Sequence, residues 1–216
     1  ERAIEIISME GELVLDPYCG SGTTLLEGLI AKRKVVGIDL NPIAVLISKS
    51  KISPIDQDIL DDAHLALTTS IERYELLTNL QNLDDPEIDT RFLSDNRLQE
   101  PIFTKWFQPH VLQDLLYIEQ EIGKIPNDDV KQLSLVSLSE ILRRYSNAHS
   151  GYPNVMFNKN APTKRRPGKN FLAQLSKSIE GISTLRDINV DWSMSDVIHG
   201  DATMMPLGDC CVDAIV

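Results

Sequence analysis

The chain has 216 residues, 42% of them hydrophobic, and 21 Lys and Arg against 32 Asp and Glu give it a formal net charge of -11. That length carries one ordinary domain, or one domain with an insertion. The acidity excludes a protein that grips nucleic acid through its whole surface, because neutralising phosphates needs Lys and Arg, so any such contact is local. No stretch approaches the roughly 20 apolar residues of a membrane span, and the opening Glu1-Arg2-Ala3-Ile4-Glu5 lacks the order of a signal peptide. Of three cysteines, Cys210 and Cys211 are adjacent, which suits neither a disulfide framework nor a paired metal site. The expectations are a cytoplasmic chain with no membrane partner and no structural metal.

Residues 13–15 (Leu-Val-Leu) read as a short buried strand running into a Pro/Gly/Ser/Thr turn, after which Leu25, Leu26, Leu29 and Ile30 recur at helical spacing. Val35-Val36-Gly37-Ile38 is a second strand, ended by Asp39 and followed by Asn41-Pro42, with Pro early in the next helix. Strand, helix and strand in this order make a βαβ unit, hence a parallel sheet. From 56 to 189 the period is helical. Leu60, Ala63, Leu67, Ile71 and Tyr74 form one stripe, and Val111, Leu112, Leu115, Ile118 and Ile122 a second. Leu135, Leu138 and Leu142 belong to a third helix, and Leu172, Leu175, Ile179 and Ile182 to a fourth that Asn170 caps. Two irregular stretches interrupt them, the acidic segment from Asp84 to Asp89 and the loop from Asn147 to Lys169. Strand character returns at Val197-Ile198-His199 and at Val212 to Val216. The expected organisation is a sheet domain from 1–55 and 190–216 enclosing a helical insertion at 56–189. The chain starts without Met and stops on an apolar run, and is expected to be cut at both ends.

The segment Asp16-Pro17-Tyr18-Cys19-Gly20-Ser21-Gly22-Thr23-Thr24 lies between a strand and a helix. Gly20 and Gly22 let the backbone bend and approach a ligand, and a helix N-terminus offers free N–H groups. It matches neither the dinucleotide Gly-x-Gly-x-x-Gly nor a P-loop, which wants Lys after its last Gly. Asp16 repels a pyrophosphate and suits a ligand with a positive amino or sulfonium group. Asp39 ends the second strand about 20 residues beyond the turn, where a carboxylate accepts from ribose hydroxyls. Asp201, in His199-Gly200-Asp201-Ala202, is placed to accept from an adenine amino group or is an ordinary strand-end carboxylate. All three fall at the edge of a parallel sheet where ligands of open α/β folds bind.

Together these residues resemble the DNA amino-methyltransferases, which act on adenine N6 or cytosine N4. The family's loop reads Asp-Pro-Phe-Cys-Gly-Ser-Gly-Thr-Thr, and Tyr18 stands here in place of Phe. The resemblance implies a Rossmann-like α/β fold, interrupted by a helical insertion that serves in target recognition, with S-adenosylmethionine (SAM) as cofactor. It makes Asp16 to Thr24 the SAM loop, Val36 to Pro42 with Asp39 and Leu40 the ribose motif, and Gly200-Asp201-Ala202 the adenine motif. It extends through Ala44 to Ile55, and a helix beginning Lys105-Trp106-Phe107 looks like the insertion of one branch. The order of motifs implies a linear arrangement.

The family's catalytic motif, a polar residue followed by Pro-Pro and an aromatic, falls after the strand that follows the adenine motif. It is therefore expected immediately after Val216, and no catalytic residue is assigned within the chain. The implied function is methylation of an amino group on a base flipped out of duplex DNA, as in restriction-modification systems. The 216 residues alone are expected to bind SAM without turnover, with a second chain as one source of the missing motif. Two alternatives are a tRNA guanine-N2 methyltransferase, whose family has a similar loop, and a non-catalytic SAM-binding subunit of a split enzyme.

Cys19 reads as a small loop residue, not a nucleophile, because no base lies near it in sequence. Cys210 and Cys211 read as partly buried filler, His199 reads as a strand residue, and His110 and His149 lack metal-like partners at short spacing. Trp106-Phe107 reads as core. The loop from Tyr152 to Lys169 concentrates Lys159, Lys164, Arg165, Arg166 and Lys169, with Tyr152 and Phe157 between them. It is either a solvated charged face or a loop that tracks the phosphates of a DNA substrate.

Overall fold

Four apolar segments form a single parallel sheet in the computed structural model, which describes residues 2–79, 90–151, 154–188, 190–193 and 195–216. β1 (Leu13–Asp16), β2 (Lys34–Asp39), β3 (Ser195–His199) and β4 (Ala214–Ile215) lie in the order β3-β2-β1-β4. Every neighbouring pair is parallel. The chain steps outward from β1 through β2 to β3 and then returns to the far side of β1, which puts the reversal of a doubly wound, Rossmann-like sheet between β1 and β4.

The first two strands run one residue further than their apolar cores, each closing on a carboxylate, Asp16 and Asp39. β4 is shorter than the run Val212 to Val216. The ladder begins at Asp213, whose N–H meets the Leu13 carbonyl at 2.9 Å while its own carboxylate accepts from Leu13 N at 2.8 Å. Cys210 and Cys211 are exposed, not half-buried filler, because Cys210 sits in a turn at φ 55°.

The chain divides into two compact units, Glu1–Gln57 with Ile179–Val216, and Asp58–Ser178. In the first, α1 (Arg2–Ile7) sets Ile4 against Val14 and Ala214. α2 (Thr23–Ile30) and α3 (Pro42–Ile52) supply Leu25, Leu29, Val45 and Ile52 to a cluster with Cys19, Val35 and Val197. α3 starts where Asn41 accepts from Ile43 N at 3.0 Å, with Pro42 in the first turn, where a missing N–H costs nothing.

The second unit is helical. It contains α4 (Gln57–Asn79) from Asp58 onward, α5 (Pro101–Trp106), α6 (Pro109–Gly123), α7 (Asp128–Tyr145), the part of α8 (Gly168–Asp187) up to Ser178, and two short 3-10 turns, Thr90–Ser94 and Asn96–Leu98. Leu60, Leu67, Ile71 and Tyr74 of the first stripe are buried, and so are all five members of the second. α7 buries a broader face than the Leu135/Leu138/Leu142 stripe, with Val130, Leu133, Val136, Leu138, Ile141 and Tyr145 inward and Leu135 and Leu142 only partly covered. Its end is set by Asn127, which accepts from Val130 N at 3.0 Å, and by charges that complement the helix dipole, Asp128 and Asp129 first and Arg143 and Arg144 last.

Three sequence expectations change here. Lys105-Trp106 ends α5 rather than opening a helix, because Pro109 starts α6 and Phe107 is already extended. Asn170 lies inside the first turn of α8, its N–H bonded to Pro167 O at 3.0 Å, so it is no cap, and Lys169 is helical. The stretch after Asn147 is partly ordered by an antiparallel bridge between Ala148 and Phe157. Phe157 meets Trp106 edge to face at 5.5 Å, with Lys105 Nζ 5.2 Å from the Phe157 ring, so both aromatics are half-buried packing groups. The acidic segment from Asp84 to Asp89 and Tyr152 lie outside the described residues. Among the described residues no helix is long and apolar enough to cross a membrane.

Deep in the helical unit, Arg166 Nη1 donates to Asp114 Oδ1 at 2.7 Å, with only 4% of the Asp114 side chain exposed. Burial pushes the Asp114 carboxyl up to about 6, with Arg166 pulling in the opposite direction. Since this is above the ordinary 3.8, the group contributes most to stability below pH 3.8 and loses that contribution as pH rises to about 6. Arg166→Ala leaves the carboxylate buried without its cation, and the expected cost is about 3 kcal/mol at pH 8. At pH 5 Asp114 is protonated and the expected cost is much smaller. Urea unfolding at the two pH values checks this; an equal loss at both would contradict it.

Candidate functional site

The loop from Asp16 to Thr24 leaves the carboxyl end of β1 and enters α2, and its shape is fixed by bonds to the two following elements. Asp16 is buried at the strand end and its Oδ1 accepts from Tyr18 N at 3.0 Å. Cys19 N donates to Ile38 O at 3.0 Å, continuing the β1–β2 ladder into the turn. Gly20 N donates to Asp39 Oδ2 at 2.9 Å, so the second strand's carboxylate holds the first strand's loop directly.

Asp39 Oδ1 accepts in turn from Asn41 N at 2.8 Å. Each carboxylate oxygen has about two lone pairs, so both retain acceptor capacity.

Two residues of α3 complete the clamp, and neither was singled out from the sequence. Ser48, fully buried, donates from Oγ to Gly20 O at 2.8 Å and lies 3.7 Å from the Cys19 sulfur. Lys51 Nζ donates to Ser21 O at 2.7 Å. Both carbonyls of the loop's centre are thereby occupied from the α3 side. Only their spacing, three residues apart and so on one helix face, was visible in the sequence, and a helix whose dipeptides repeat Ser-Lys gives no reason to prefer one pair.

Gly20 (φ 50°) and Gly22 (φ 77°) take left-handed conformations that L residues avoid. A Cβ on Gly22 would also stand 3.0 Å from the Ser48 Cα, Cβ and Oγ. Thr23 opens α2 directly after Gly22, which makes no side-chain cap. Ser21 and Thr23 are exposed, Pro17 and Thr24 half-buried, and Tyr18 is 75% exposed.

Leu40 is exposed beyond β2. β3 pairs Asp39 with His199, whose Nε2 lies 3.0 Å from Leu40 O, and Gly200 N donates to Asp39 O at 3.1 Å. That register carries Asp201 and the half-buried Ala202 to the same sheet edge as Asp39. Asp201 Oδ1 accepts from Thr203 N and Thr203 Oγ1, each at 2.8 Å, and these bonds hold its carboxyl below the usual range, so it is an anion at neutral pH. Burial pushes the Cys19 thiol up, which keeps it protonated and poorly nucleophilic.

The basic set separates into different environments within the helical unit. Lys159, Arg165 and Lys169 are exposed, and Lys164 and Arg166 are half-buried. Arg166 is committed to Asp114. Lys164 Nζ donates to Arg144 O at 3.0 Å.

Residues 1–50 match the sequence model of a family described as DNA methylase, N6_N4_Mtase. The type II methyltransferase M.MvaI of Kocuria varians is 30% identical over 147 residues, covering 67% of this chain and 30% of that protein. Over these aligned regions the chain is similar to DNA amino-methyltransferases. The type II methyltransferase M.MjaII of Methanocaldococcus jannaschii is 22% identical over 183 residues, 62% of this chain and 34% of that protein. The chain thus spans about a third of the length of the curated relatives it matches. No solved structure matches it.

Gly22→Ala is expected to cost the fold about 2 kcal/mol, from the left-handed backbone together with the contact to Ser48. Denaturant unfolding of the two proteins measures it. An unchanged midpoint would show that the loop is not held as described.

Proposed function

We propose that the chain carries the SAM-binding part of a DNA methyltransferase that modifies an exocyclic amino group, adenine N6 or cytosine N4. The observation that carries this reading is the convergence of Asp16, Asp39, Asp201 and the glycine loop at the carboxyl edge of one parallel sheet, the edge at which open α/β folds bind ligands. The family match and the type II methyltransferase relatives support the substrate class.

The donor set fits SAM on chemical grounds. Three carboxylates repel a phosphorylated nucleotide but suit a ligand carrying an ammonium and a sulfonium. Asp39 keeps lone pairs for the ribose hydroxyls, and ionised Asp201 accepts from an amino group such as that of adenine. With Gly20 O and Ser21 O engaged by Ser48 and Lys51, the loop approaches the ligand without a Cβ at either glycine. SAM supplies the electrophilic methyl; the loop residues from Pro17 to Thr24, with Leu40 and Ala202, complete the proposed pocket wall. No residue of this chain is assigned to the methyl transfer itself, which the resemblance puts at a motif following β4. The helical unit is proposed to engage the target DNA.

Calorimetric titration of SAM into the chain tests this. Micromolar binding is expected, weakened at least tenfold by Asp39→Ala, with removal of the ribose acceptor as the main cause. Absence of binding, or equal affinity in the variant, would contradict the proposal.

A further inference from the structure

A cavity of about 600 Å³ lies wholly within the helical unit and is lined by Arg143, Arg144, Lys164 and Arg165, with Glu140 and the buried Tyr145. Four cations against one carboxylate is a strong local reversal in a chain of net charge -11. Arg143 and Arg144 sit in the last turn of α7, where basic residues ordinarily complement the helix dipole or its orphan carbonyls. Here those carbonyls have other donors. Ser146 N meets Leu142 O at 2.9 Å, Ser146 Oγ meets Arg143 O at 2.9 Å, and Lys164 Nζ meets Arg144 O at 3.0 Å. The carbonyls at this end thus take bonds from Ser146 and Lys164, while the Arg143 and Arg144 side chains, which also complement the helix dipole, line the cavity.

The opposite wall is equally fixed. Gln108, immediately before α6, donates from Nε2 to Pro162 O at 2.9 Å and accepts from Lys164 N at 3.0 Å, and His110 Nε2 lies 2.9 Å from Lys164 O. These bonds strap residues 162–164 against the helices and carry the exposed Arg165 to the rim beside Tyr145. Two residues on, Arg166 anchors the same segment through buried Asp114. The segment is thus a built wall, and the division of labour along it is definite. Lys164 and Arg166 hold the backbone, while Arg165 joins Arg143 and Arg144 around the opening.

We propose that this pocket seats backbone phosphates of duplex DNA, with Arg143, Arg144 and Arg165 as the phosphate ligands and Lys164 as the residue that positions them. The choice of DNA rests on the methyltransferase reading above. Guanidinium forks match phosphate oxygens, and a chain with a strongly negative total charge must gather its cations in one place to hold a polyanion. Arg143 and Arg144 are assigned by their position in the cavity, since nothing in the local sequence set them apart from the basic end of any helix.

The test is fluorescence anisotropy of the 216-residue chain with a fluorescein-labelled mixed-sequence duplex of about 20 base pairs, at NaCl from about 25 to 200 mM. The triple variant Arg143→Ala, Arg144→Ala, Arg165→Ala is compared with the charge-matched Lys49→Ala, Lys131→Ala, Lys177→Ala. The first is expected to lose at least tenfold in affinity and to flatten the log–log salt dependence by roughly 2 to 3, at about 0.9 per phosphate contact. The control is expected to change less than threefold, with SAM titrating normally into both. Equal losses in the two variants, or no duplex binding by the parent chain even at the lowest salt, would overturn the pocket while leaving the SAM reading intact. Tenfold preference for a duplex RNA through the same three arginines would overturn the assignment to DNA. Loss of duplex binding in the first variant alone, in a chain that does not bind SAM, would support the pocket and refute the cofactor reading.

Discussion

The hydrogen bond from Gly20 N to Asp39 Oδ2 is the constraint on which the site depends. It joins the loop after β1 to the last residue of β2, so the register of two parallel strands sets the position of the backbone proposed to bind the cofactor. Strand pairing sets Asp16 level with Gly37 and Asp39 level with His199. The loop then closes over that edge because Cys19 and Gly20 bond to β2 and because Ser48 and Lys51 take the carbonyls of Gly20 and Ser21. A buried serine with no such partner would be a cost to the fold; here its bond offsets its burial and fixes the loop. The cross-links come from residues far apart in sequence, yet all lie within the sheet unit.

Charge is distributed with the same economy. Three carboxylates, Asp16, Asp39 and Asp201, fall at the same edge of the sheet, which suits the proposed cationic ligand better than a phosphate. The helical unit instead gathers arginines at one cavity and commits another, Arg166, to a buried partner. Charge counts over the whole chain hide both features, since -11 describes neither local field. What each group does is decided by its immediate neighbours: Asp114 is pushed up by burial despite Arg166, whereas Asp201, on the surface, is pulled down by two bonds from Thr203.

Much of the sheet was legible because its strands are short runs of β-branched and aliphatic residues bounded by turn residues, and because parallel strands buried on both faces need no alternation. The glycine loop was legible because its chemistry is local: residues 16–24 carry their own turn signals. The α3 clamp was not, because Ser48 and Lys51 act on carbonyls 28 and 30 residues away, and nothing local marks such a contact. Element ends failed where a proline governed them. Pro109 restarts the helix that Lys105 was expected to open, and the Pro167 carbonyl takes the N–H of Asn170, which was expected to cap. The basic segment was visible as composition, but its sorting into anchors and exposed cations needed the positions of Asp114, Gln108 and α7.

The most direct measurement is the amide NMR spectrum of the isotopically labelled chain during titration with S-adenosylhomocysteine, which carries the same adenosine and amino-acid groups as SAM. If Asp39 organises a cofactor site at the sheet edge, the amides of Gly20, Ser21, Gly22, Leu40 and Ala202 shift together and saturate at one ligand per chain. Saturable shifts confined to residues 58–178, or no shifts at all, would contradict a cofactor site built on this loop.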